Sequence, residues 1–431
     1  MSLRIHILHI ASGDFFSTYG GGQVYVRYVV DELAREGVTV SVLSFTGSSV
    51  VTERSYHGAR LYEVGEMPDR QMAELIQAIR PDVIHAHSHK DKLCRIGKTL
   101  DIPVIVTAHH GGIVCPAGAL MDCHDSICHT TVSHRHCLRC VLRNIRTGLW
   151  WYPMMRLLPE NTYISLGLYL RKRPFIEFVT PIGQAALSVH RHESFWQTVI
   201  DDCSLMIAPS EAIGAAMLRN GLDERKLAVV PHGVPLPDAV PPLPSTAGGI
   251  RFFYVGRICY VKGIHILLAA FHQLKDTRAE LHLIGGSGNK QEERYEKKLK
   301  KKYAADRRIV WHGKQQADEI QDTVGHFHVA VVPTICLEAY GLNITEALSL
   351  GKPVLATRCG GAEMQVVDGV NGWLVAANDS SAMTAAMEHI VSHPDILPSM
   401  SSRCRATSIE EHCHRLLELY ARQQECHTHD K

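Results

Sequence analysis

The chain of 431 residues lacks any apolar run approaching the ~20 residues that a membrane-spanning helix needs. It also lacks charge of one sign. Lys plus Arg (45) and Asp plus Glu (44) nearly cancel, so no overall field draws in nucleic acid. Compositional bias is absent too: 45% apolar and 21% charged residues are globular values, which exclude intrinsic disorder and fibrous architecture. The opening MSLRIHILHIASGDFF is too short and too alternating in its apolar part for a signal peptide, and it reads as a strand. The expectation is a cytoplasmic protein of two or three domains.

Two residue types are in excess. The 27 histidines would charge as the pH falls below ~6.5. Of 13 cysteines, eight are scattered and five crowd into positions 115–140. A disulfide framework belongs to small secreted domains, so local clustering in a large chain favours a metal site.

Short β-branched runs alternate with helical patterns throughout. Strands are predicted at Arg4–His9, Val38–Ser44, Val83–His87, Val104–Ala108 and Leu205–Ala208. After a break they follow at Arg251–Val255, Leu281–Ile284, Ile309–His312, Val329–Pro333 and Pro353–Thr357. Such alternation means α/β architecture, with parallel sheets covered by helices on both faces. The break, 231–249, carries five prolines after Pro231 and ends in two glycines, so it reads as a linker. The predicted layout is an N-terminal domain over 1–230, a second domain over 250–404, and a helix Ser408–Arg422, within a final segment 405–431, that returns to the first domain. Ligands of open parallel sheets bind beyond the carboxyl ends of the strands, and each motif below lies at such an end.

Gly20-Gly21-Gly22 follows the first strand and opens a helix, where glycines admit a phosphate close to the backbone; a plain tight turn would look the same. Arg257 and Lys262, in Gly256-Arg-Ile-Cys-Tyr-Val-Lys-Gly263, flank a strand-to-helix crossover and suit the two phosphates of a diphosphate. In Glu338-Ala-Tyr-Gly-Leu-Asn-Ile-Thr-Glu346, Asn343 and Glu346 have the spacing of a capping box for a helix Thr345–Leu350. Gly341 leaves that helix end open to an anion, and the two carboxylates suit ligand hydroxyls. His109, in Thr107-Ala-His-His-Gly-Gly112, stands at a strand end, where it can donate to a developing anion.

The order of a GGG loop, T-x-H, G-R-x4-K-G and E-x7-E, followed by Gly360-Gly-Ala-Glu363 and Asp368-Gly-Val-Asn-Gly372, resembles the retaining glycosyltransferases of family 4 over nearly the whole chain. The resemblance implies the GT-B fold, two doubly wound Rossmann-like domains facing each other across a cleft. It implies a nucleotide-diphosphate sugar as donor, UDP-linked by the family's commonest usage, and a small-molecule, glycan or lipid-linked acceptor. Arg257 and Lys262 would hold the diphosphate, Glu338 the sugar hydroxyls and Glu346 the ribose. Gly341, Leu342, Asn343 and Ile344 would meet sugar and phosphates through their backbone. Gly21 and Gly22 would close on the diphosphate, while Gly285, Gly288, Gly313 and Lys314 would lie along the nucleoside. His109 would touch the transferred sugar. His232 stands where Asn is commoner. No lysine motif for pyridoxal phosphate is present, which bears on a phosphorylase, the competing activity on this fold along with an epimerase. A metal-bound interaction protein on an inactive scaffold is the reading from another class; a full set of Arg257, Lys262, Glu338 and Glu346 speaks against it.

Cys115, Cys123, Cys128, Cys137 and Cys140 are the metal candidates. Cys137-x2-Cys140 is a common half of a tetrahedral zinc site and Cys123/Cys128 supply a second half. Some family members begin with a similar Cys-Pro-x-Gly, which brings in Cys115 and leaves one thiol over. An iron–sulfur cluster takes the same ligands, and reduced thiols are the alternative. Residues 139–173 mix arginines with Trp150, Trp151 and Tyr152, the look either of an interfacial membrane segment or acceptor-binding loop, or of a packed helix with solvated arginines.

Overall fold

The computed structural model describes residues 5–429 except 12, 17–20, 48–49, 144–147, 156, 158, 160, 161, 163, 166, 167 and 170–179. Eight strands build the first sheet: β1 His6–Ile10, β2 Thr39–Phe45, β3 Thr52–Tyr56, β4 Ala59–Val64, β5 Val83–Ala86, β6 Val104–Thr107, β7 Leu205–Ala208 and β8 Leu227–Val229. Their order is β3-β4-β2-β1-β5-β6-β7-β8, parallel except for the β3–β4 hairpin. Six strands build the second: β9 Arg251–Val255, β10 Glu280–Ile284, β11 Ile309–Gly313, β12 Val329–Val332, β13 Val354–Thr357 and β14 Gly372–Val375. Their order, β11-β10-β9-β12-β13-β14, is wholly parallel.

The central strands are apolar on both faces because helices cover both, and β5, β6, β7, β12 and β13 are buried along their whole length. Each sheet therefore separates two apolar clusters. The architecture is the GT-B pair of doubly wound sheets expected from the motifs.

β3, β4, β8 and β14 went unforeseen. β3 has no apolar run; it exists because a two-residue turn, His57 (φ 47°) and Gly58 (φ 92°), folds it onto β4. The helix Ile409–His429 starts beside the linker, where Ile409 N donates to Val234 O (2.9 Å). It then buries Cys413, Leu416 and Tyr420 against the first sheet and the helix Gly21–Arg35. The lysine run of helix Lys290–Lys302 is a solvated face, with Lys300 paired to Glu296 at 2.7 Å. No helix among the described residues is long and apolar enough to cross a membrane.

Candidate active site

Three chain segments meet at the carboxyl ends of the two sheets. Gly20 lies outside the described residues, but Gly21 and Gly22 open the helix Gly21–Arg35. A Cβ on Gly22 would stand 3.3 Å from His109 Cγ, and one on Gly21 would stand 3.4 Å from Leu342 Cδ1. One helix N-terminus of the first domain thus touches the T-x-H motif and, across the cleft, the first residue of helix Leu342–Ser349. Two positive helix ends sharing one gap favour an anion between them.

The cationic loop follows β9. Lys262 closes a 3-10 turn, Tyr260–Lys262, and its ammonium donates to the Glu338 carboxylate, which also accepts from Thr334 Oγ1 (3.4 Å). Burial works against the charged lysine, but Glu338 outweighs it and the Lys262 pKa is raised. Arg257 is half exposed, with its Nε 3.6 Å from Glu292 Oε1. Glu292 in turn accepts from Gly288 N (2.8 Å). Gly285 fits here because it has no side chain: a Cβ would come within 1.9 Å of Gly256 O, and φ is 131°. Its N donates to Gly313 O (2.7 Å), and Ile258 N donates to Gly286 O (3.1 Å). The Arg257 loop, the Gly285–Gly288 loop and Gly313-Lys314 therefore lie side by side, with the Lys314 stem over Gly286.

The expected capping box is not formed. The helix starts at Leu342, three residues earlier than expected, and its cap is Gly341 (φ 85°) with no side-chain hydrogen bond. Asn343 instead donates from Nδ2 to Val255 O (3.1 Å), tying the helix to β9. Glu346 is thereby released from any capping role. Its carboxyl is raised to about 7 by loss of hydration. It faces the helix Gly21–Arg35 closely enough to help raise Tyr28, after burial, to about 12.

His109 heads a chain of imidazoles. Its Nε2 lies 2.9 Å from His87 Nδ1, and His87 Nε2 lies 3.1 Å from His9 Nδ1. His85, alongside, meets Tyr420 OH (2.6 Å) and Thr107 Oγ1 (2.7 Å), and His412 meets Tyr25 OH (2.7 Å). Far from charging below pH 6.5, these buried rings are held neutral: desolvation takes His9 to about 3 and His412 to about 4, with His85, His87, His109 and His232 well down. His232, the departure from Asn, lies against the Tyr25 ring (4.0 Å between centroids). A cavity of about 230 Å³ opens beside His109, lined also by Lys90, His110 and Phe195. A larger one, about 820 Å³, lies against the linker and holds none of the candidate residues.

The five clustered cysteines are free thiols in one neighbourhood. Burial, and then Cys123, Cys137, Cys115 and Cys128, push Cys140 up to about 12; burial takes Cys137 to about 11. They are not drawn together as a closed ligand set. Among the described residues, the group whose ligand atoms all lie within 4.8 Å is His9, His85 and His87; their nitrogens serve the hydrogen bonds above except His9 Nε2, which is buried without a partner. Of the basic–aromatic segment, Arg146, Arg156, Leu158, Arg171, Lys172 and Arg173 lie outside the described residues. Trp150 is exposed, and Arg139 lies 5.8 Å from the Tyr152 ring.

Three further residues, to which the motifs assign no role, shape the site. His87 and Lys90 belong to His85-Ala-His-Ser-His-Lys90 at the end of β5, a strand-end position that was itself a signal. Lys90 donates to His87 O (2.6 Å), and burial lowers it to about 8. Glu363 accepts from the amides of Cys359 (3.0 Å) and Gly360 (2.7 Å), shaping the loop that pairs with Glu338.

The chain matches the family described as Glycosyl transferases group 1 over residues 241–408 and Glycosyltransferase Family 4 over residues 19–135. It is 29% identical over 215 residues to lipopolysaccharide 1,2-N-acetylglucosaminetransferase of Salmonella typhimurium, covering 46% of this chain and 55% of that protein. It is 27% identical over 219 residues to D-inositol 3-phosphate glycosyltransferase of Xylanimonas cellulosilytica, covering 47% and 52%. The chain thus spans about half the length of these curated relatives. Two solved structures share the fold over 97% of this chain and 99% of theirs. They are Anabaena HepE in complex with UDP and glucose (TM-score 0.65, 16% identity) and sucrose-phosphate synthase from Thermosynechococcus elongatus (TM-score 0.68, 19% identity). With both families matched in chain order and both sheets in place, the chain belongs to the family 4-like glycosyltransferases of the GT-B fold.

Proposed function

We propose that the protein transfers a sugar from a nucleotide-diphosphate sugar, with UDP as the first candidate base, to an acceptor hydroxyl with retention of anomeric configuration. The observation that carries this reading is the meeting of Gly21, Gly22, His109 and Leu342 in one gap, beside a buried lysine whose counter-ion is Glu338. A structure in which HepE holds UDP-glucose supports the donor class.

In this reading Arg257, Lys262 and the open N-terminus of Leu342–Ser349 neutralise the leaving diphosphate. Glu338 accepts from sugar hydroxyls, and Glu346 from the ribose. Neutral His109 donates toward the sugar, and the acceptor reaches it through the cavity lined by Lys90 and His110. The acceptor hydroxyl attacks on the face the diphosphate leaves, and a departing phosphate oxygen takes its proton. The acceptor is a glycan, a lipid-linked or a small polyhydroxylic molecule. The named substrates of the relatives differ among themselves. The basic–aromatic segment 139–173 would meet a membrane surface if the acceptor is lipid-linked.

The five thiols are soft donors in one neighbourhood, which suits a structural metal, zinc first, provided that four of them close up into the ligand set that they do not form here. A bound zinc would supply loop closure and no chemistry at the sugar.

The test is thermal shift against UDP, GDP, ADP and CDP, followed by donor hydrolysis with sugars of the best base. A stabilising diphosphate and release of sugar from its donor are expected. Indifference to all four refutes the reading and leaves the interaction scaffold.

A further inference from the structure

The cysteine-rich loop reaches across the cleft to the donor side. Its tip is a hairpin in which Met121 pairs with Ile127 and Cys128 N donates to Leu120 O (2.8 Å). Asp122 Oδ1 accepts from the amides of His124 (2.8 Å) and Ser126 (2.9 Å). This leaves Asp125 at the turn with φ 63°, a left-handed conformation that aspartate tolerates better than most residues.

Asp125 Oδ2 accepts from Arg143 of its own domain (2.8 Å) and from the Tyr260 hydroxyl of the other (3.0 Å). Arg143 also donates to Asp122 O (3.3 Å). The hydrogen bond from Arg143 draws the Asp125 carboxyl below its ordinary range against the opposing effect of burial, and Tyr260 adds to it. Tyr260 lies between Arg257 and Lys262. Its ring stacks on His265 (4.6 Å, 10°), whose Nδ1 meets Tyr295 OH (2.8 Å). Next to the tie, Ile127 packs against apolar clusters of both domains.

Resting on the glycosyltransferase reading above, we propose that Asp125, Arg143 and Tyr260 form a latch that positions the diphosphate-binding loop. Asp125 and Arg143 are positioning residues: neither joins the cluster around His109, Lys262 and Glu338. The loop needs such support. Its turn is three residues long, and the carboxylate that pairs with Arg257, Glu292, stands 3.6 Å away. Fixing it in advance removes an ordering cost from donor binding.

The latch also gives the thiol cluster a purpose. Asp125 stands between Cys123 and Cys128, and Arg143 ends the helix His134–Arg143 that carries Cys137 and Cys140. Whatever orders the thiols orders both halves of the latch. Loss of the cluster should therefore be felt at the donor site, against the simple expectation that donor binding belongs to the second domain alone.

The experiment is hydrogen exchange by mass spectrometry on the full chain without ligand, comparing Asp125→Asn, Tyr260→Phe and the double variant. Each change deletes one charge or one hydroxyl and keeps the shape. Asp125→Asn should speed exchange of amides 258–263 in the other domain, and Tyr260→Phe those of 120–128, roughly tenfold each, the worth of one hydrogen bond to a charged group. The double variant should do no more than either single one. If each loop ignores the change in the other, or the effects add, the latch is refuted. UDP affinity is the second arm: a parent that binds UDP alongside variants that bind it equally well also overturns the positioning role. A parent that binds no nucleotide sinks the enzymatic reading instead, and leaves the exchange result to decide the contact.

Discussion

Acidification from pH 7.5 to 5.5 should cost this fold about half of an ordinary stability. His9, His85, His87, His232 and His412 are buried under the helices Gly21–Arg35 and Ile409–His429, all with pKa values lowered by burial. In the unfolded chain each titrates near 6.5, so in this window the unfolded state binds the extra protons and stability falls with pH. Because the folded rings stay neutral across this window, the unfolded titration alone sets the loss, about 1.4 kcal/mol per ring over the two units and about 7 kcal/mol for the five. Glu346 works the other way. Its raised carboxyl, about 7 when folded, takes up a proton that the unfolded chain refuses until lower pH, and this returns about 2 kcal/mol. The net loss from these six groups is about 5 kcal/mol, against the ~5–15 kcal/mol of a typical domain. Urea unfolding followed by circular dichroism at pH 7.5, 6.5 and 5.5 measures it, and His9→Leu should flatten the slope by one proton. A midpoint that stays constant between pH 7.5 and 5.5 would show that these rings titrate normally and would refute the buried neutral layer.

Three further outcomes are expected. Arg257→Ala should weaken UDP binding roughly 10- to 100-fold by calorimetry with the melting temperature unchanged, since the carboxylate it pairs with, Glu292, stands 3.6 Å away. Glu338→Gln should abolish most sugar transfer yet bind UDP as tightly as the parent or more so, because Lys262 loses the carboxylate that competes with phosphate; weaker UDP binding would assign Glu338 to the nucleotide. Replacing Cys137 and Cys140 by Ser should remove about one metal per chain in elemental analysis and lower the melting temperature, whereas a parent that is folded, active and metal-free would refute the thiol site.

The strand framework was legible because burial on both faces forces continuous β-branched runs; Leu205–Ala208 and Arg251–Val255 fall where their residues say. What failed was whatever depends on a distant partner. Thr52–Tyr56 is polar and exposed, and only the His57-Gly58 turn betrays it. Asn343 has the spacing of a helix cap, yet its amide finds Val255, 88 residues away, because the Gly341 turn brings β9 within reach. Histidine number alone suggested a chain that charges readily. Position reverses that: rings on β1 and β5 sit under two helices, and a ring without water stays neutral.

The same distinction separates the two halves of the site. In the proposed function Arg257, Lys262, Glu338 and Glu346 announce themselves because phosphate and sugar would be met by particular groups at strand ends, a local requirement written as a motif. Asp125 announces nothing. It is one acid among thiols, and its partner Tyr260 is 135 residues further on, inside a motif where the flanking cations draw attention. Yet in the proposed latch the two together would hold the donor loop before substrate arrives. A chemical group is constrained by the reaction and leaves a pattern; a group that holds another in place is constrained only by where the fold puts it. Residues of the second kind therefore have to be looked for at contacts between domains, next to the motifs rather than in them.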